Sequence, residues 1–269
     1  MSGHNRLQAL ETVAARITVV MPVFNEGDTI RSTLLEASRK IPRIYDNIVF
    51  AVSEDGSTDN TKDALVSMAS EMPNLQVRLG PRRKGYPGAA KDAILGVDGK
   101  TDYILFMDSD GQYDPTDFGL LWREMKKSDA DMVVGNRMNR VETPVRVFLS
   151  TGLRILEKVI FRTKQRDVTS AFRLMRVGPA QSIARGVKYS KYNFWLEFTA
   201  IASLCGYRMQ EVPVVYRARE GTSRVYSGSK ILKAAVQELT TIFRVWRDYR
   251  LRGIRRETGC QATATLPSQ

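Results

Sequence analysis

The segment Asp108-Ser-Asp110-Gly-Gln112 carries the residue types best suited to chemistry in this chain. Its carboxylates follow the apolar run 103–107, so they emerge where a predicted strand ends and can both approach one ion. Divalent Mg and Mn ions prefer oxygen ligands and usually keep phosphate oxygens of a substrate in their shell. We therefore predict that Asp108, Asp110 and the Gln112 carbonyl hold Mg2+ or Mn2+ with a diphosphate. A polar loop without function is the alternative, and the neighbouring loops decide between them.

Two further acidic, glycine-containing loops follow the first and second predicted strands. In the first, Pro22, Phe24 and Glu26 are predicted to line a nucleotide pocket, with Phe24 against the base. In the second, Glu54 or Asp55 would accept hydrogen bonds from the base or ribose. A turn followed by a helix cap is the simpler interpretation of the second loop.

A basic, glycine-rich loop, residues 82–88, opens a predicted helix. Lys84 and the backbone N–H groups there could hold phosphate, although a solvated charge cluster fits the same residues. The remaining anion-binding candidates are Arg137, Arg173, Arg217, Arg219 and Arg224.

Alternating apolar runs and helical patterns must position these loops. The predicted strands are 17–23, 47–53, 75–79, 103–107 and 131–135, and the helices between them are 28–39, 58–70, 89–97 and 115–126. Four βα units in series predict an α/β fold with a mostly parallel sheet, covered on both faces, and a Rossmann-like nucleotide-binding half. Ligands of such sheets lie at the carboxyl ends of the strands, where the acidic loops converge. Helices at 146–161 and 193–205 and strands within 166–175 and 208–215 are predicted to follow.

Composition narrows the chemistry. At 269 residues, with 43% hydrophobic and 26% charged residues, the chain is typical of a soluble domain. His4 is the only histidine and lies near the N-terminus, which excludes Ser-His and Cys-His catalysis. Cys205 and Cys260 indicate neither a disulfide framework nor a zinc site. Since no spanning segment or signal peptide is apparent, a cytoplasmic location is predicted.

The net charge of +12 is concentrated toward the C-terminus. We predict a catalytic domain at 1–216, of which 1–15 is flexible, then a basic loop and amphipathic helix at 217–256 and a disordered tail at 257–269. Apolar residues recur at helical spacing between Ile231 and Trp246, flanked by Lys and Arg, which favours peripheral contact with the cytoplasmic face of a membrane. A helix packed on the domain with a solvated basic face is the alternative. Nucleic-acid binding is not expected, because the acidic loops would repel phosphate unless metal-bound.

Taken together, the loops resemble family 2 glycosyltransferases of the GT-A fold, and among them the dolichyl-phosphate and polyprenyl-phosphate mannose and glucose synthases. The matching segments are Pro22-Val-Phe-Asn-Glu26, Glu54-Asp-Gly-Ser-Thr-Asp59, Lys84-Gly-Tyr-Pro-Gly-Ala-Ala90, Asp108-Ser-Asp-Gly-Gln112, Gly135-Asn-Arg137, Asp167-Val-Thr-Ser-Ala-Phe-Arg173, Gly206-Tyr-Arg-Met-Gln-Glu-Val-Pro213 and Gly221-Thr-Ser-Arg224. Their order and spacing cover roughly residues 16–230.

The resemblance implies roles for these residues. Nucleoside contacts would come from Pro22, Phe24, Glu26, Glu54 and Asp55. The metal and diphosphate would be bound by Asp108, Ser109, Asp110 and Gln112, and the diphosphate would also contact Lys84, Arg219 and Arg224. The acceptor phosphate or the sugar donor would be faced by Arg137 and Arg173. This chain departs from the family pattern at Glu54, where Asp is usual, at Ser109 and Gly111 around the metal, at Ala171 and at Arg224.

The resemblance also implies an inverting transfer of a hexose from GDP-mannose or a UDP-sugar. A polyprenyl or dolichyl phosphate acceptor is already an anion and needs no strong base. A hydroxyl acceptor would need one, with Asp167 the first candidate and Glu197 the second. The alternatives are a transferase of the same fold acting on a soluble natural product, peptide or polysaccharide, a nucleotidyltransferase, and a nucleic-acid-binding protein.

Overall fold

The computed structural model describes residues 15–41, 47–138, 144–218 and 229–251. Its strands are β1 Ile17–Val23, β2 Ile48–Glu54, β3 Leu75–Arg78, β4 Tyr103–Phe106, β5 Met132–Met138, β6 Arg173–Arg176 and β7 Met209–Val215. They form one sheet in the order β3-β2-β1-β4-β6-β5-β7. The predicted α/β fold with a mostly parallel sheet is therefore confirmed.

The sheet departs from strict parallel order at β6, which runs antiparallel to both β4 and β5. The other pairs are parallel, including β1 with β2, β1 with β4 and β5 with β7. As β6 reverses between β4 and β5, those two strands point the same way. The carboxyl ends of β1, β2, β4, β5 and β7 consequently lie along one edge, together with the start of β6.

The helices are α1 Ile30–Lys40, α2 Thr61–Glu71, α3 Tyr86–Leu95, α4 Phe118–Ser128, α5 Pro144–Phe161, α6 Val177–Gly186, α7 Phe194–Leu204 and α8 Ser229–Trp246. Helix α3 begins before the predicted residue 89 because Pro87 is accommodated in its first turn, after Gly85 at a φ of 83°. Helix α6 was not predicted. Its buried residues, such as Ala180 and Ile183, are few and small, so their helical spacing is a weak signal.

Buried apolar side chains from the whole sheet form the core, with β1 and β4 buried along their entire length. Helix α8 packs against α5 and α7, which places the basic C-terminal helix on the domain. The predicted flexible start and the predicted disordered tail lie outside the described residues, apart from Ala15. Within the described chain, no helix combines the length and apolar character needed to cross a bilayer. Cys205 is disulfide-bonded, a pairing that is not predicted from the sequence.

Candidate functional site

The segment after β4 places Asp108 and Asp110 at the carboxyl edge of the sheet. Asp108 accepts a hydrogen bond of 2.8 Å from the hydroxyl of Tyr86, at the start of α3. The carboxylate of Asp110 accepts the backbone N–H of Gln112 at 3.2 Å. Gly111 between them has a φ of 71°, a left-handed conformation that allows this tight turn. Both carboxylates are half-buried and therefore within reach of a ligand.

Gln112 is held by the segment that follows β7. Its side-chain oxygen accepts the hydroxyl of Tyr216 at 2.9 Å, and its side-chain nitrogen donates to the carbonyl of Arg217 at 3.1 Å. The backbone N–H of Arg217 donates in turn to the Gln112 carbonyl at 2.8 Å. In this conformation Gln112 joins the loop to the segment after β7, and its side-chain oxygen keeps a second lone pair with which it could ligate a metal.

The oxygen donors of this loop suit a hard divalent cation. In the described part of the chain, no group of three or more His, Cys, Asp or Glu side chains could hold a metal ion. Asp108 and Asp110 together with diphosphate oxygens would be a sufficient oxygen donor set for Mg2+ or Mn2+, which bind readily through one or two carboxylates and substrate phosphates. Burial raises the pKa of Tyr216, as do Asp110 and Asp108, against the lowering effect of Arg137. Both carboxylates therefore lie close enough to Tyr216 to raise the pKa of its hydroxyl.

Glu54, the last residue of β2, and Asp55, the first residue after it, are two of the carboxylates predicted to contact the nucleoside. Glu54 accepts the backbone N–H of Ser57 and, at 3.2 Å, that of Gly80. Asp55 accepts the N–H groups of Lys84 and Gly85 at 2.7 and 2.8 Å. Only 3% of Glu54 and 5% of Asp55 is exposed, so both carboxylates brace the surrounding loops as well as lying beside the predicted pocket.

The loop after β1 lies against the same region. Pro22, near the end of β1, is buried, and its carbonyl accepts the hydroxyl of Ser109 at 3.1 Å, which ties the end of β1 to the loop after β4. Phe24 is half-buried beneath the guanidinium of Arg83, 4.0 Å from the ring centroid. Glu26 accepts the hydroxyl of Thr29 at 2.9 Å, just before α1.

The loop before α3 presents an exposed Lys84, whose ammonium forms an ion pair with Asp92. Exposed pairs of this kind contribute only about 0–1 kcal/mol, so the ammonium can exchange Asp92 for a phosphate at little cost. Gly56, at a φ of 70°, lets this loop approach the loop after β2, because a Cβ there would lie 2.5 Å from the backbone nitrogen of Arg83.

Arg137 and Asp167 form an ion pair near the loop after β4. The guanidinium donates to both carboxylate oxygens at 2.7 and 2.8 Å and also to the hydroxyl of Thr169 at 2.7 Å. It lies 5.2 Å from the ring of Tyr216, the residue that binds Gln112. Burial lowers the pKa of Arg137, but Tyr113 and Asp167 raise it, and the net shift is upward. Arg137 therefore keeps its positive charge, and both carboxylate oxygens of Asp167 are engaged in the ion pair with it.

Arg173 is fully buried rather than placed at the surface of the pocket. It donates to the carbonyls of Ser170 and Val168, both at 2.7 Å, and to the hydroxyl of Thr199 at 2.9 Å. Its guanidinium also lies 4.4 Å from the ring centroid of Trp195. In this conformation Arg173 stabilises the core. Contact with a nucleotide-sugar donor would require its side chain to leave these partners.

Glu197, the second base candidate, is also fully buried, on α7. It accepts the backbone N–H groups of Lys188, Tyr189 and Ser190, the shortest at 2.6 Å. Desolvation raises its pKa. These contacts favour a structural role. Arg219 and Arg224 lie outside the described residues.

Two tyrosines at the site were missed from sequence. Tyr86 contacts Asp108, and Tyr216 contacts Gln112 and lies near Arg137. Tyr86 lies among basic residues and glycines, and its approach to Asp108 depends on the fold, whereas Tyr216 directly follows a strand end and could have been found by that position.

Comparison with known proteins identifies the family. The model of Glycosyl transferase family 2 matches residues 18–185, so the chain belongs to glycosyltransferase family 2. It is 27% identical over 224 residues to dolichyl-phosphate beta-glucosyltransferase ALG5A of Trichomonas vaginalis, covering 79% of this chain and 69% of that protein. It is 26% identical over 228 residues to undecaprenyl-phosphate mannosyltransferase of Micrococcus luteus, covering 82% of this chain and 91% of that protein.

Solved structures share the fold. Glucosyl-3-phosphoglycerate synthase from Mycobacterium tuberculosis, crystallised with Mn2+, UDP-glucose and phosphoglyceric acid, aligns with a TM-score of 0.61 at 15% identity, over 86% of this chain and 80% of that one. Mannosyl-3-phosphoglycerate synthase from Rubrobacter xylanophilus aligns with a TM-score of 0.59 at 15% identity, over 95% and 78% of the two chains.

Proposed function

We propose that this enzyme transfers a hexose from a nucleoside-diphosphate sugar, GDP-mannose or a UDP-sugar, to a polyprenyl or dolichyl phosphate, with Mg2+ or Mn2+ as cofactor. The observation that carries the proposal is the meeting of Asp108 and Asp110 with the loop of Glu54 and Asp55 at one sheet edge. The names of the dolichyl-phosphate and undecaprenyl-phosphate relatives support the acceptor. The complex of the Mycobacterium tuberculosis enzyme with Mn2+ and UDP-glucose supports the cofactor and the kind of donor.

The residues of the site suit direct displacement with inversion. The metal, when bound at Asp108 and Asp110, supplies positive charge to the departing diphosphate. Lys84 would add a further cation, and the resemblance to the family implies the same role for Arg219 and Arg224. Arg137, held by Asp167, would orient the anionic acceptor for in-line attack. A phosphate acceptor is already ionised, so Asp167 can remain in its ion pair throughout.

We further propose that α8 holds the enzyme at the cytoplasmic face of a membrane. Val236, Leu239 and Phe243 on this helix are 55%, 46% and 57% exposed. Arg244, in the same helix, is exposed as well, whereas the acidic Glu238 is turned inward. An apolar stripe with cations beside it matches an anionic lipid surface better than nucleic acid, to which the apolar side chains would contribute nothing.

A transfer assay tests the proposed reaction. The protein is incubated with GDP-mannose or UDP-glucose, Mn2+ or Mg2+, and either a short-chain polyprenyl phosphate or 3-phosphoglycerate, and labelled sugar is measured in the organic and aqueous phases. We expect metal-dependent label in the organic phase. Label only on phosphoglycerate would favour a soluble acceptor, as in the two structural neighbours, and no transfer from any donor would contradict the proposal.

A further inference from the structure

The hydroxyl of Tyr86 links the metal-binding loop to the core. It lies 2.8 Å from the indole nitrogen of Trp195 and 2.8 Å from the carboxylate of Asp108. Indole N–H is a donor only, so Tyr86 must accept from Trp195. The single hydroxyl hydrogen of Tyr86 is then available to Asp108, and the direction of the whole chain is fixed.

The Trp195 end of this chain is rigid. Only 1% of Trp195 is exposed, and its ring packs edge-on against Phe106 and Phe198, with centroids 4.6 and 5.2 Å apart. The guanidinium of Arg173 covers the ring at 4.4 Å and is itself anchored to two backbone carbonyls. Arg173, which the resemblance places at the acceptor phosphate or the sugar donor, therefore packs on Trp195, and Trp195 in turn donates to Tyr86.

The residues that lead into Tyr86 hold Asp55, another of the carboxylates predicted for the site. The two residues before it, Lys84 and Gly85, donate their backbone N–H groups to Asp55. Three consecutive residues thus hold Asp55 on one side and Asp108 on the other.

We infer that Tyr86 is a positioning residue that fixes the orientation of Asp108 toward a metal-bound diphosphate, with Trp195 and Arg173 as its buried support. The inference rests on the proposed function, because it assumes that Asp108 meets a metal-bound diphosphate. Groups that hold a ligating carboxylate by hydrogen bonds orient it, and their loss typically costs about 10- to 100-fold in metal affinity or activity.

The test is a Mn2+ titration of thermal stability in the presence of UDP or GDP, with Tyr86→Phe compared with the wild type. Tyr103→Phe is the matched control, since Tyr103 is a buried tyrosine on β4 that contacts Trp122 rather than the site. We expect Tyr86→Phe to raise the half-maximal Mn2+ concentration about tenfold. Its metal-free melting temperature should fall modestly, because the buried indole N–H of Trp195 loses its acceptor. The Mn2+ midpoint of Tyr103→Phe should stay close to wild type. Trp195→Phe should move the midpoint in the same direction by a smaller factor.

The outcomes separate the two claims. An unchanged Mn2+ midpoint in Tyr86→Phe, with a wild type that responds to Mn2+, overturns the positioning role and leaves the proposed function intact. A lower metal-free melting temperature without a midpoint shift shows a purely structural role and also overturns it. A wild type that responds to no nucleoside diphosphate with Mn2+ contradicts the proposed function itself.

Discussion

The ion pair between Arg137 and Asp167 allows two roles of Asp167 to be separated by mutation. A general base must be free to accept a proton, whereas a residue that holds Arg137 acts only through its partner. Asp167→Asn keeps the shape of the side chain and removes its charge. Arg137→Gln removes the other charge, and the double variant removes both.

The magnitude follows from burial. The side chains of Arg137 and Asp167 are only 9% and 11% exposed, so solvent screens the pair weakly. Removing one partner of a buried pair costs roughly 3–5 kcal/mol, and the amide of Asn still offers one acceptor, so we expect a loss of about 2–3 kcal/mol. For a chain of this size this lowers Tm by roughly 5–10 °C. In the double variant the two costs should fall short of additivity by about 1–2 kcal/mol, since neither charge is left unpaired.

Urea unfolding measures the stabilities, and kcat/KM measured from about pH 3.5 to 8.5, a range that includes the ordinary carboxyl pKa of about 3.9, measures the catalytic role. If Asp167 positions Arg137, Asp167→Asn lowers kcat/KM by the same factor at every pH, and the double variant is no slower than Arg137→Gln. If Asp167 is a base, its replacement abolishes the acidic limb of the pH profile, which Arg137→Gln retains. That second pattern, or strictly additive stability losses, would refute the positioning argument.

Three further predictions concern the metal loop and α8. Asp110→Asn should abolish the Mn2+-dependent rise in Tm with nucleoside diphosphate while changing metal-free stability by less than about 0.5 kcal/mol, and a retained rise would remove Asp110 from the metal site. Burial and the nearby Glu197 raise the pKa of Glu238 from 4.5 to about 7. The contribution of Glu238 to stability should therefore be full below pH 4.5 and be lost as the pH rises to about 7, so Glu238→Gln should show a smaller loss of stability than the wild type between pH 5 and pH 8 in urea unfolding. Phe243→Glu should reduce flotation with anionic vesicles, while Val66→Glu on α2, at a residue of matching exposure (56% against 57%), should not. Equal flotation of both variants would count against α8 as the contact.

Most of the sheet could be predicted because its strands are short buried apolar runs between turn residues. Strand β1 begins and ends where the pattern placed it, β2 is shifted by one residue at both ends, and β3 and β4 each end one residue earlier than predicted. The reversal of β6 could not be predicted. Strand direction depends on which neighbours it pairs with, and the sequence of Arg173–Arg176 is compatible with either direction.

The candidate site divides in the same way. Sequence by itself determined which residue types meet at the sheet edge, because the carboxyl ends of parallel strands share that edge whatever the packing. It placed Asp108, Asp110, Glu54 and Asp55 there. Sequence alone does not show which charged side chains face a ligand and which are paired with other groups inside the protein.

Only the tertiary structure decided that. Arg173 looks like an anion-binding residue from its type and position, yet it is fully buried against Trp195. Tyr86 looks incidental, yet its hydroxyl contacts Asp108. The physical reason is that a polar side chain is satisfied by whatever partner the fold brings within about 3 Å, and those partners come from distant parts of the chain.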